Sequence, residues 1–157
     1  MRKQAAVEER QGRLFIQSWD ETTGSYPLSI QGSWLESTDD SASDETVGEF
    51  VRSALSQSRN GIPVHEVESH VKESRKQLLK VAGARSESQY EKGMRHVEVT
   101  WDEAEANIVL TPYRNMGWRE GITPMTDAVI EVEAHAEPSV LGRSVRRALE
   151  LAVPGPQ

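Results

Sequence analysis

The sequence predicts an α+β fold, an antiparallel or mixed sheet covered by about three helices, with a weak internal duplication. Three observations carry this. Runs of β-branched and aromatic residues with period-two alternation come in pairs, at 13–19 with 26–35 and at 96–101 with 107–113. Apolar residues at three- and four-residue spacings mark helices near 45–59, 64–82 and 137–152. The strict strand–helix alternation of a parallel doubly wound sheet is missing.

Taken in order, residues 1–12 have basic side chains but no apolar stretch of signal-peptide length, and are expected to form a flexible N-terminal segment ahead of a single domain at 13–153. Leu14, Phe15 and Ile16 are strong strand formers ahead of the turn-rich residues 20–24. In 26–35, Leu28 and Ile30 alternate with Ser29 and Gln31, and Pro27 suits only a strand start or an edge, so the two runs make a hairpin. The Ser/Asp-rich residues 36–45 read as an exposed loop. Asp44 is placed as the N-cap of the first helix, whose apolar face is Val47, Phe50, Val51, Ala54 and Leu55. Asn60-Gly61 supplies a left-handed stop, with Ile62 as its apolar contact.

Pro63 suits the first turn of the next helix, whose stripe is Val64, Val67, Val71, Leu78 and Ala82 and whose exit is Gly83. Its other face, Glu68, Lys72, Lys76 and Lys80, has the spacing of solvated ion pairs. A polar connection at 85–93 leads to a second hairpin, closed over 102–106, in which Val97 and Val99 alternate with Glu98 and Thr100. A long irregular segment, 114–126, precedes a strand within 128–135. The last helix opens at Glu137-Pro138-Ser139, turns Leu141, Val145, Ala148, Leu149 and Ala152 inward, and stops at Pro154-Gly155-Pro156.

Two of these helices share a phrase. Residues 47–55 and 141–149 match at Gly48 and Gly142, Val51 and Val145, Arg52 and Arg146, Ala54 and Ala148, and Leu55 and Leu149. A glycine inside a helix costs about 1 kcal/mol relative to alanine. Its recurrence at the same point is expected where the helix backbone approaches the sheet closely.

The charge balance, 18 Lys+Arg against 25 Asp+Glu, gives a formal net charge of -7 over 157 residues. Such a surface repels phosphates and attracts basic proteins, so no direct nucleic acid partner is expected. The absence of cysteine excludes a disulfide scaffold, thiolate catalysis and cysteine-ligated zinc. No apolar run is long enough to span a membrane, and a cytoplasmic protein is expected.

Signatures for phosphate-cradling loops, zinc proteases and nucleophile elbows are missing. His65 and His70 are five apart and turn to different sides of a helix. His96 and His135 stand at the start and end of strands, where a surface or capping imidazole is expected. Asp102, Glu103 and Glu105 fall in a hairpin turn as solvated acids. No catalytic residue, cofactor or metal is expected. Two other classes stay open: a small hydrolase or transferase using His96 or His135 with a nearby acid, and an adaptor or regulatory subunit dimerising through the duplicated helices.

The unusual stretch is 111–125, TPYRNMGWREGITPM. Tyr113, Arg114, Trp118 and Arg119 have the composition of binding hot spots. For Trp118 two readings are open, a partner anchor or a plug of the core, whereas Trp19, Trp34 and Trp101 sit beside strand faces as core residues. Asp39, Asp40 and Asp44 belong to an acid run without interleaved bases, either a solvated loop and cap or a patch steering a basic partner.

Pro112, Gly117-Trp118, Gly121-Ile122, then a strand, then Leu141-Gly142 opening a helix with Val145-Arg146 and Ala148-Leu149, resemble the immunity proteins of bacterial contact-dependent growth inhibition systems. Val47-Gly48 through Leu55 and on to Ser58-Arg59 is similar to the first-half helix of such proteins. The resemblance covers roughly 13–149. It implies a small cytoplasmic protein that binds and neutralises the cognate C-terminal toxin domain of a surface-delivered effector, often a nuclease acting on tRNA. Such proteins diverge where they touch their toxins, so the contact residues Tyr113, Arg114, Trp118, Arg119, Asp39, Asp40 and Asp44 rest on composition alone.

Overall fold

The elements follow as β1 (Arg2–Arg10), β2 (Arg13–Thr22), β3 (Ser29–Asp39), α1 (Asp44–Gln57), β4 (Asn60–Ile62), α2 (Val67–Ala82), α3 (Glu87–Glu91), β5 (Arg95–Asp102), β6 (Asn107–Asn115), β7 (Ile122–Pro124), β8 (Ile130–Glu133) and α4 (Pro138–Leu151) in a computed structural model that describes residues 1–157. The sheet runs β3-β2-β1-β5-β6, with β7 and β8 pairing successive parts of β6. Its ladders are antiparallel except for the short β4, which lies parallel to β2.

Residues 2–10 are not a flexible segment. They form the central strand β1, paired with β2 on one side and β5 on the other, with Val7 opposite both Ile16 and Val97. Ala5 and Val7 join the main core, while Gln4 and Arg10 are buried too. The side-chain alternation is there, disguised by small and charged residues that find partners across the sheet. The connection is a two-residue turn at Gln11 and Gly12, both at positive φ (50° and 77°), the geometry a right-twisted hairpin favours.

Other boundaries shift for local reasons. Strand pairing carries β3 through the acidic residues 36–39, where Arg13 faces Asp39. The N-cap of α1 is Ser43, whose hydroxyl accepts from the Thr46 amide, rather than Asp44. Gly61 does take a left-handed φ of 82°, but 60–62 also pairs with β2 and buries Ile62. A 3-10 turn at 64–66 precedes α2, which ends as expected on a left-handed Gly83. The polar connection contains α3, capped by Ser86 and pinned by buried Tyr90.

One sheet face is covered by α1 and α4, and there the main core collects Val7, Leu14, Ile16, Val97, Val99, Ile108 and Leu110 against Val47, Val51, Leu141 and Val145. The shared glycines sit where these two helices cross, not where either meets the sheet. A Cβ at Gly48 would fall on the Pro138 carbonyl, and one at Gly142 on the Asp44 carbonyl. The shared arginines are reciprocal as well: Arg52 on α1 donates to the Ala134 and Ala136 carbonyls ahead of α4, and Arg146 on α4 donates to those of Asp40 and Ala42 ahead of α1. The duplication is therefore a pseudo-twofold arrangement, each half a three-stranded antiparallel unit plus a helix, joined by the β1–β5 ladder.

Helix propensity alone makes Gly48→Ala and Gly142→Ala stabilising by about 1 kcal/mol. The crossing reverses that sign. Each substitution should cost about 3 kcal/mol or more, read from the urea midpoint, because the obstructing atoms are backbone.

Candidate partner-binding groove

On the opposite sheet face, α2 packs over β3 and α3 tucks Tyr90 beside Phe15, Leu78 and Met94. These helices cover one half of the face. Between α2, α3 and the turn after β6 lies a groove of about 220 Å³, floored by Glu8, Trp19, Gln31 and His96. Arg75 and Val71 of α2 form one wall, Glu87 and Glu91 of α3 another, and Trp118 stands on the rim.

The floor is held by a polar network that spans the chain. Glu8 accepts from the Tyr90 hydroxyl at 2.7 Å and lies 2.7 Å from Nδ1 of His96. His96, expected at the surface, is only 4% exposed, because the sheet stacks it between β1 and the Tyr113 ring, whose centroid is 4.8 Å away. No protein group hydrogen-bonds its Nε2. Burial, with the adjacent Glu8 carboxylate, pushes the Tyr90 phenol well above its usual range, and burial with the hydrogen bond to Glu98 raises Tyr113. Both phenols stay neutral donors at physiological pH. Glu91 is raised too, first by burial and then by Glu8 and Glu87. The groove's one arginine, Arg75, is paired with Glu87 at 3.2 Å.

The residues singled out by composition are dispersed. Tyr113, half-buried in β6, spends its hydroxyl on Glu98. Arg114 is exposed in β6 opposite Thr123 of β7. Trp118 and Arg119 stand in a tight turn closed by the Gly121 amide on the Gly117 carbonyl. Asn115 anchors that turn, its side-chain amide donating to the Glu91 and Met94 carbonyls and its oxygen accepting from the Gly117 amide. Trp118 is 51% exposed, so it does not plug the core. Trp34 and Trp101 are partly buried against the main core, whereas Trp19 faces the groove.

Asp39 is exposed and Asp40 half-buried, at the same end of the sheet as the Trp118 turn. They stand four strands away, about 19 Å at the usual strand spacing. Asp44 is committed internally, bonded to Arg146 at 2.9 Å with Arg143 at 3.9 Å. His135 is exposed and stacks edge-on with Trp101. Of the enzyme alternative, the structure supplies a carboxylate–imidazole pair at Glu8 and His96, with no hydroxyl bonded to Nε2. The missed residues, Glu8, Gln31 and Glu91, lie in segments read as flexible, as an outer strand and as a connection, and the Gln11-Gly12 turn was the one local signal for β1.

No group of three or more His, Asp or Glu is placed to hold a metal ion, and no helix is long and apolar enough to cross a membrane. Residues 3–152 match the family model of CdiI, the CDI immunity protein. The chain belongs to the CDI immunity protein family. Among solved structures, the immunity protein is similar to a protein of unknown function, NMB0488, from Neisseria meningitidis, with TM-score 0.81 at 15% identity over 97% of this chain and 96% of that one. It is also similar to a chain of the CdiA-CT/CdiI toxin and immunity complex from Yersinia pseudotuberculosis, with TM-score 0.79 at 16% identity over 97% and 98%. At such identities the likeness is one of fold. Among curated proteins, none matches the chain.

Glu91 gives a stability prediction whose sign follows from its raised titration. Its ionised form is penalised in the folded state, a penalty absent well below the ordinary carboxyl value of 4.5, growing as pH rises from there to the raised folded value and constant above it. Glu91→Gln should therefore raise the thermal midpoint at pH 7, with the gain vanishing toward pH 3.

Proposed function

We propose that this immunity protein binds and neutralises the cognate C-terminal toxin domain of a surface-delivered effector in the cytoplasm of the cell that makes it, performing no bond-making itself. The observation that carries the reading is membership of the CDI immunity family over residues 3–152. The fold likeness to a chain of a toxin and immunity complex supports it. We further infer that the toxin is a nuclease with a basic substrate cleft, tRNA being its candidate substrate. A net charge of -7 suits an inhibitor that competes with phosphates for the same cations.

The surface that binds is proposed to be the sheet end carrying the Trp118 turn and the Asp39–Asp40 loop. A standard interface buries about 800 Å² on each partner, a disc roughly 32 Å across, so sites about 19 Å apart fit within one. Trp118 and Arg119 act there as exposed anchors, Arg114 and Tyr113 as their support, and Asp39 and Asp40 as steering charges. Asp44 enters through the clamp with Arg146 rather than as a free charge.

The decisive experiment is growth rescue. The effector fragment encoded beside this gene, expressed alone, should arrest growth, and co-expression of the immunity protein should restore it with a stable 1:1 complex. A fragment that kills equally well in its presence overturns the reading. Within the complex, Trp118→Ala should cost about 2 kcal/mol or more of binding while the free protein keeps its urea midpoint. Lysine at Asp39 and Asp40 should slow association and flatten its salt dependence, measured by stopped flow, whereas Asp44→Lys should instead lower stability.

A further inference from the structure

Four buried side-chain polar atoms lack a protein partner: Gln4 Nε2, Trp19 Nε1, Gln31 Oε1 and Glu91 Oε2. Buried polar groups are nearly always paired, so even a scattered few call for explanation. These are not scattered. Trp19, Gln31 and Glu91 line the groove, and Gln4 lines a small cavity of about 30 Å³ that shares Trp19, Ser29 and His96 with it. Gln4 is 2% exposed, and His96, 4% exposed, lines both spaces. The unsatisfied hydrogen-bonding capacity of the immunity protein thus lies in the groove and the small cavity beside it.

The character of that site selects its occupant. Glu8, Glu87 and Glu91 converge on it, and the only wall cation, Arg75, is already paired. A cation with several divergent N–H donors meets both free acceptors, Glu91 Oε2 and Gln31 Oε1. The exposed Trp118 ring on the rim offers a face for a planar, weakly hydrated cation. An ammonium is compact, strongly hydrated and less suited to acceptors on two separate elements.

We propose that this groove is a guanidinium pocket that receives an arginine side chain of the toxin domain. The arginine inserts between Trp118 and α3, donating to Glu91 and Gln31. This rests on the toxin-binding function proposed above. It adds where the groove of the immunity protein, rather than its outer acids alone, engages the basic partner. It also gives the partly buried Glu91 carboxylate a role: the desolvation cost it carries in the free protein is offset in the complex.

Two measurements separate this proposal from the one it rests on. In the first, N-acetyl-arginine amide is titrated into the free protein while the Trp19 and Trp118 indole N–H resonances are followed by NMR. Saturable shifts in the millimolar range are expected, at least tenfold weaker with the neutral citrulline analogue and weaker with N-acetyl-lysine amide. Equal shifts with all three, or none with arginine, overturn the pocket. In the second, Glu91→Gln and Gln31→Ala, checked for native near-ultraviolet dichroism, are tested for complex formation. Losses of about ten- to hundredfold in affinity are expected for removing an acceptor of a charge-assisted bond. If arginine amide binds but toxin affinity is unchanged, the toxin is not the occupant and the proposal fails while immunity stands. If the wild-type protein does not bind the toxin at all, it is the immunity function that fails.

Discussion

The fold depends on one close approach. Where α1 crosses α4, each helix lays its backbone against the segment that starts the other, and only a residue without a side chain fits at Gly48 and Gly142. Arginines one turn further along complete a reciprocal clamp, each taking the free carbonyls of the loop before the opposite helix. These carbonyls belong to irregular backbone beside a core, where unpaired groups are costly. The clamp both satisfies them and fixes the helix pair that covers one whole face of the sheet.

From this clamp the rest of that face follows. With the helix pair fixed, the two three-stranded halves meet through β1 and β5, and the apolar residues of both strands point into one core. A central strand made of small residues is tolerated here because the helices approach so closely. Ala5, between the helices and the sheet, would leave a void under a looser layer.

The other face breaks the pseudo-symmetry. The linking segment between the halves supplies α2 and α3, and these cover the β2–β3 side, with no counterpart over β5 and β6. A groove is the result of covering one half of a twisted sheet. Its floor cannot be apolar throughout, since it reaches solvent, and it is built instead on Glu8, His96, Tyr90 and the residues around them. Rigid scaffold and polar groove are thus opposite faces of one sheet, the first made by repetition and the second by its interruption.

What the sequence determined by itself was the content of the layers. Periodicity is a local property, so the stripes of α1 and α4, the two strong hairpins, the Gly83 stop and the Gly-Val-Arg-Ala-Leu echo were all legible, and with them the α+β class, whereas Val64 of the stripe expected for α2 lies in the 3-10 turn before it and is exposed. The resemblance carried by residues 112–149 points to the immunity family from sequence alone. What only tertiary structure decided was everything that depends on partners far apart in the chain. β1 reads as a charged tail because Glu8 and Arg10 look solvated until His96 and Tyr90 arrive, some 80 to 88 residues later. The echoed glycines were visible, yet whether they faced sheet or helix was a matter of packing. The groove was invisible altogether: its defining feature is a set of polar atoms left without partners, and which atoms those are is fixed only once every other pairing has been made.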